Sequence, residues 1–75
     1  MLTEEFIRSA IIDKCSAEMA GNANKIIGKT SEAASKTGRD RMLALLELLR
    51  IVERTRELTM TMIATVDEEE TCSEN

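Results

Sequence analysis

The segment from Asp40 to Val66 constrains this chain more than any other feature. Its apolar residues recur every three or four positions, and it contains neither Gly nor Pro. Apolar residues at that spacing lie along one side of an α-helix. With a rise of about 1.5 Å per residue, the segment would form a rod of roughly 40 Å. A helix this long and this apolar needs packing partners along its whole length.

The apolar residues of this segment form two neighbouring rows. The first row consists of Leu45, Leu49, Val52, Thr59, Ile63 and Val66, and the second row consists of Ala44, Leu48, Ile51, Thr55, Leu58 and Met62. One partner helix covers about one such row. The other row requires a further neighbour, so we expect this helix to form both the core of the fold and an interface.

An earlier helix is predicted over residues 3–36. Thr3 followed by Glu4 and Glu5 is typical of a helix start, because the Thr side chain caps free amide groups and acidic residues favour the positive helix end. Apolar residues then continue at helical spacing. Gly21 and the Asn residues near it weaken the pattern, which leaves two readings. The helix either continues through Gly21, which we favour, or breaks there and restarts.

The clearest break in the helical pattern lies between the two predicted helices. Gly38 can adopt the left-handed conformation that ends a helix, and Thr37 with Asp40 resembles a capping box. Two helices joined by so few residues must lie antiparallel. We therefore predict an all-α antiparallel helical hairpin, with helices at about 3–36 and 40–66. Because 75 residues give only a marginal core and one apolar row remains, we expect self-association into a homodimeric four-helix bundle.

Charge is distributed unevenly along the chain. The net charge is −4, but residues 21–57 contain eight basic and five acidic residues, whereas residues 67–75 contain five acidic and no basic residues. Since the acidic end is poor in apolar residues, the sequence predicts a domain at 1–66 followed by a disordered tail at 67–75. No stretch reads as a membrane span and the first residues lack signal-peptide features, so a cytoplasmic location is expected.

Catalytic chemistry has little support in the sequence. There is no His, and Cys15 and Cys72 fit neither a metal pattern nor a disulfide framework. Cys15 lies on an apolar helical row and is predicted to be a core residue, while Cys72 is expected to be a free thiol. Residues 23–30 fit a relaxed phosphate-loop pattern, but that loop needs a preceding buried strand within a parallel sheet. We therefore expect no enzymatic activity, no cofactor and no metal site.

A basic cluster gathers near the predicted turn and comprises Lys25, Lys29, Lys36, Arg39 and Arg41. Lys and Arg supply the sequence-independent part of nucleic-acid affinity, although the chain has a single aromatic residue to stack on bases and is acidic overall. In size and helix pattern the chain resembles the small plasmid RNA-binding helical hairpins that dimerise into four-helix bundles, and also small helical secretion chaperones and phage or viral adaptors. A nucleic-acid-binding regulator that uses this cluster is the alternative function.

The leading functional prediction is a small non-enzymatic adaptor, chaperone or inhibitor that acts through protein-protein contacts as a homodimer. It follows from the missing catalytic chemistry and the surplus of apolar helix surface. The expected partners are a second copy of the chain and an unidentified protein, with nucleic acid as the alternative and no membrane. The predicted interface comprises Ala44, Leu45, Leu48, Leu49, Ile51, Val52, Thr55, Leu58, Met62 and Ile63.

Overall fold

The computed structural model describes residues 3–73 and the side chains of residues 3–68. It contains two helices, α1 at Glu4–Ser35 and α2 at Gly38–Ser73. The two helices pack against each other lengthwise in antiparallel directions, and the molecule measures 56 × 20 × 13 Å. The predicted all-α antiparallel hairpin is thereby confirmed.

Helix α1 is continuous. Its start is capped as predicted, because Thr3 Oγ1 accepts a hydrogen bond from the Phe6 amide at 3.1 Å. The helix runs through Gly21, where an added Cβ would meet no atom within 4 Å. Packing against α2 on both sides of Gly21 outweighs the roughly 1 kcal/mol by which Gly disfavours a helix. Of the two readings of this segment, the continuous helix is confirmed.

The connection between the helices consists of Lys36 and Thr37. Lys36 is extended, with φ −103° and ψ 170°, and Gly38 has φ +58°, in the left-handed region that Gly adopts readily. The Arg41 guanidinium donates from Nε to the Ala33 carbonyl oxygen at 2.9 Å and from Nη2 to the next carbonyl oxygen at 3.4 Å. These bonds satisfy carbonyl groups that a helix end leaves without a partner. Arg41 therefore ties the end of α1 to the start of α2.

Helix α2 is longer than the sequence predicts. It continues past Val66 to Ser73, so the predicted end at Val66 is wrong. Residues 67–73 contain no Gly or Pro, and Glu is a good helix former. The prediction gave more weight to the charge of this segment than to its helix propensity. The division into a domain at 1–66 and a disordered tail at 67–75 stays a prediction, and residues 74 and 75 lie outside the described residues.

The two helices meet along residues that alternate in steps of three and four. On α1 these are Ile12, Cys15, Met19, Asn22, Ile26, Lys29 and Ala33, and on α2 they are Ala44, Leu48, Ile51, Thr55, Leu58, Met62 and Thr65. This spacing is that of a coiled coil, in which one row of each helix faces the other. The second row is therefore the one that packs against α1. Cys15 is buried in this core, as predicted.

A polar pair lies inside this core. Asn22 Nδ2 donates to Thr55 Oγ1 at 3.3 Å, and the same hydroxyl donates to the Ile51 carbonyl oxygen at 2.8 Å. Asn22 is only 7% exposed. A shift in the alignment of the helices would leave its amide buried without a partner, at a cost of about 1–3 kcal/mol. The pair therefore favours this one alignment of α1 and α2.

Candidate functional site

The first row lies on the surface of the hairpin. Its large members keep between 44% and 63% of their surface exposed: Leu45, Leu49, Val52, Ile63 and Val66. The structure thereby divides the predicted interface into two sets. The residues of the second row face α1, whereas Leu45, Leu49, Val52 and Ile63 face outward. The large residues of the first row are thus only partly covered within the hairpin.

An open apolar groove runs between the helices on the side of the first row. It has a volume of about 540 Å³ and is lined by Ile12, Met19, Thr59, Met62, Ile63, Val66 and Asp67. Thr59 does not offer a free hydroxyl to this groove, because Oγ1 donates to the Thr55 carbonyl oxygen at 2.9 Å and contacts the Met19 sulfur at 3.9 Å. The groove is therefore suited to an apolar occupant.

Helix α1 presents mostly small side chains on the same side. In an antiparallel pair of helices, the residues one position after each core residue lie on the same side of the pair in both helices. On α2 these residues are the first row with Arg56, and on α1 they are Asp13, Ser16, Ala20, Ala23, Ile27, Thr30 and Ala34, all of them exposed. We call the first row together with these α1 residues the apolar face. It combines a ridge of large side chains on α2 with a shallow surface on α1.

The opposite edge of the hairpin carries an ion pair that joins the two helices. Arg54 donates to both carboxylate oxygens of Glu18, from Nε at 2.8 Å and from Nη2 at 3.3 Å, and its Nη1 lies 3.5 Å from Glu57. These hydrogen bonds hold the pKa of Glu18 below its ordinary value and raise the pKa of Arg54. A bidentate Arg–carboxylate pair fixes geometry as well as charge. This edge of the hairpin is therefore already occupied by its own polar contacts.

A second ion-pair cluster closes the same edge nearer the turn. Glu32 accepts hydrogen bonds from Lys36 Nζ at 2.6 Å and from Lys29 Nζ at 2.9 Å, and Lys29 also contacts Glu47 across the helix pair. The bonds from Lys36 and then Lys29 lower the pKa of Glu32 to about 2. In turn, the carboxylates raise the pKa values of Lys29 and Lys36. Both clusters lie away from the apolar face.

The predicted anion or nucleic-acid patch is largely used inside the hairpin. Lys29 and Lys36 are held by carboxylates, and Arg41 caps α1. Lys25 and Arg39 form no ion pair or side-chain hydrogen bond with any residue that the structure describes. The five cations therefore do not form one free cluster, and a role in nucleic-acid binding stays a prediction.

The stretch that fits a phosphate-loop pattern, residues 23–30, is helical and lies in the middle of α1. Thr30 Oγ1 donates back to the Ile26 carbonyl oxygen at 2.7 Å, which is an ordinary bond of a helical Thr. A phosphate-binding loop works through backbone amides that are free to contact the phosphates. The helix uses these amides in its own hydrogen bonds, so the pattern does not form such a loop.

Sequence reasoning missed a third set of apolar residues on α2. Leu43, Leu46 and Met60 keep 51%, 48% and 53% of their surface exposed and belong to neither row. We call these three residues the back surface, because none of them belongs to the row that packs against α1 or to the first row. The signal was present in the sequence, where Leu43 and Leu46 stand outside both rows. The two-row description gave them no role.

No protein-family model, curated protein or solved structure matches this chain. Within the described part of the chain, no helix is long and apolar enough to cross a membrane. Nor do the described residues bring together three or more His, Cys, Asp or Glu side chains that could hold a metal ion. The apolar face is therefore the feature of the hairpin that bears most on its function.

Proposed function

We propose that this chain is a small non-enzymatic interaction protein, an adaptor, chaperone or inhibitor, that works as a homodimeric four-helix bundle. The observation that carries the proposal is the exposure of the first row, whose large members remain 44–63% exposed in the hairpin. Full burial of a large aliphatic side chain contributes about 1.5–3 kcal/mol, so covering the exposed half of each would contribute about 1 kcal/mol. On a protein surface, a contiguous exposed apolar area of this kind often marks the site where another molecule binds.

A second hairpin suits this surface because each copy would cover the first row of the other. Two hairpins stacked through their apolar faces give each helix two neighbours, which is the arrangement of a four-helix bundle. The ion pairs Glu18–Arg54 and Lys29–Glu47 would remain on the outer edges. They would then keep their solvation, so the dimer would not bury these two ion pairs. Asp13 and Arg56 are the charged residues on the side that the second copy would cover.

The back surface is the part that we propose for contact with another protein. We propose that Leu43, Leu46 and Met60 stay exposed in the dimer, since they are about half-exposed in the hairpin and belong to neither row. Met side chains adapt to differently shaped partners. The identity of that protein and the cytoplasmic location stay predictions of the sequence.

Sedimentation equilibrium at micromolar concentration tests the dimer. The expected mass is twice that of one chain of 8.4 kDa. Circular dichroism of the same sample reports whether the chain is helical, so a failure to fold is distinguished from a failure to associate. A fully helical species with the mass of one chain would contradict the proposal.

Nucleic-acid binding is the alternative function, and it is supported by Lys25 and Arg39, whose charges are not paired within the described hairpin. It predicts binding that weakens steeply as salt rises, because phosphate contacts release counterions. The double substitution Lys25→Ala with Arg39→Ala should weaken such binding further. Binding that is absent, or that does not respond to salt, removes this alternative.

A further inference from the structure

Charge separates along the length of the hairpin. Residues 21–57, which form the half that contains the turn, carry eight basic and five acidic residues, whereas residues 1–20 and 67–75 carry nine acidic and two basic residues. The antiparallel packing of α1 and α2 brings the described parts of these last two segments, residues 3–20 and 67–73, to the same open end. Since the molecule is 56 Å long, the hairpin has a basic end and an acidic end that are far apart.

Much of the excess positive charge is not neutralised within the hairpin. Lys25, Arg39, Arg50 and Arg56 form no ion pair with another described residue. Of the five carboxylates in this half, Glu32 and Glu47 both contact Lys29 and Glu57 lies near Arg54, whereas Asp40 and Glu53 form no ion pair with another described residue. Eight basic and five acidic residues leave this half with a net charge of +3. The basic end therefore retains charge that a neighbouring chain could complement.

On the basis of the proposed dimer, we infer that the second copy lies across the apolar face with its turn at the opposite end. The basic end of each hairpin then lies beside the acidic end of the other. With both turns at one end, like charges would instead face each other at both ends of the bundle. Neighbouring helices lie about 8–10 Å apart, which is near the Debye length of about 8 Å at physiological salt. Charges at one end of the bundle therefore interact, whereas charges 56 Å apart are screened.

This arrangement also places apolar residues of the two copies opposite each other along the interface. The two-fold axis runs perpendicular to the helices, so each α2 packs antiparallel against the α2 of the second copy. With the axis at the middle of Gly38–Ser73, Leu45 faces Val66, Leu49 faces Ile63 and Val52 faces Thr59 of the second copy. Leu45, Leu49, Ile63 and Val66 thus meet large apolar residues of the second copy. Arg56, which lies on the same edge next to the axis, meets Arg56 of the second copy.

The two α1 helices meet where their side chains are smallest. The same axis passes close to Ala20 and Ala23, which belong to the apolar face and are exposed. Small residues at a crossing allow two helix backbones to approach closely. The shallow surface of α1 is then the surface on which α1 of the second copy packs.

Distances between spin labels test the arrangement in the full-length chain. A label is attached at Thr37→Cys in the turn, or at Glu5→Cys at the open end, after Cys15→Ala and Cys72→Ser remove the native thiols. Two labels at position 37 should lie on the order of the 56 Å length apart. A mixture of chains labelled at 37 and chains labelled at 5 should give a distance within about 20 Å, because neighbouring helix axes lie about 8–10 Å apart.

The outcomes separate this inference from the proposed function. A short distance between two labels at position 37, in a sample that sediments as a dimer, would overturn the arrangement and leave the homodimer standing. A sample that sediments as a folded monomer would overturn both. Circular dichroism and sedimentation of each labelled chain serve as the control that the thiol substitutions have not altered the fold.

Discussion

Leu49→Asp, compared with Leu46→Asp, is the most direct test of the apolar face. The two Leu residues lie on the same helix, three residues apart, and keep 50% and 48% of their surface exposed. Leu49 belongs to the first row and Leu46 to the back surface. Because both positions are helical and half-exposed, the two substitutions cost the isolated hairpin nearly the same free energy. Each loses up to about 0.7 kcal/mol of helix propensity and about 1 kcal/mol of side-chain burial.

In the dimer the two substitutions have different consequences. Asp at position 49 is brought against the second copy, where a buried charge without a partner costs about 3–5 kcal/mol. The lost burial of the Leu side chain adds about 1 kcal/mol per chain. Since each 1.4 kcal/mol is a tenfold change in affinity, even a cost of about 3 kcal/mol raises the Kd of the dimer roughly 100-fold. Asp at position 46 stays in solvent and should leave the Kd within a few-fold.

Sedimentation equilibrium over a range of concentrations gives the Kd of each variant, and circular dichroism gives its helix content. We expect Leu49→Asp to sediment as a monomer or to lose helicity, and Leu46→Asp to keep the mass of a dimer. Equal effects of the two substitutions would refute the assignment of the interface to the first row. A greater effect of Leu46→Asp would place the interface on the back surface.

Three further predictions concern the hairpin itself. Arg41→Ala should lower the free energy of unfolding in urea by about 1–3 kcal/mol, because it removes charged hydrogen bonds to the end of α1, while Arg39→Ala should not. Asn22→Leu should raise Tm, since Thr55 keeps its bond to a main-chain carbonyl; a lower Tm would contradict this. The pKa of Glu32 is lowered to about 2 from 4.5, so its stabilising contribution is present above pH 4.5 and is lost as pH falls towards 2. Glu32→Gln should accordingly lose less stability over that pH range, as measured by urea unfolding.

The hairpin could be predicted from the sequence because its signals are local. Helical spacing of apolar residues and the single Gly38 between the two helices suffice to give two antiparallel helices. The end of α2 that the sequence predicts, Val66, is too early, because the acidic residues after it are typical of a solvated tail but are also good helix formers. In this segment the charge favours a solvated tail, whereas the helix propensity favours a helix, and the backbone is helical.

The contacts of the basic cluster could not be predicted from the sequence, because they depend on how the two helices pack together. Lys29 is four positions from Lys25 along α1, which suggests a basic surface, but its carboxylate partners include Glu47 on α2. Arg41 likewise contacts carbonyl groups at the end of α1. Sequence spacing shows which charges share a helix face, whereas pairing across the hairpin depends on how the two helices are aligned.

Sequence spacing also does not determine which of the two rows of α2 packs against α1 and which remains available for the interface. Both rows have helical spacing and differ by one residue, so hydrophobicity alone cannot say which of them faces α1. The choice follows from the partner helix, because Ala33 and Ala44 are both nearly fully buried and Asn22 bonds Thr55 only when the second row faces inward. Most of the fully buried positions are small, which lets the helices pack closely, while Leu45, Leu49, Val52, Ile63 and Val66 stay largely outside. The residues that define the hairpin therefore also create the apolar face, and a substitution that turned the first row inward would alter the fold and the interface together.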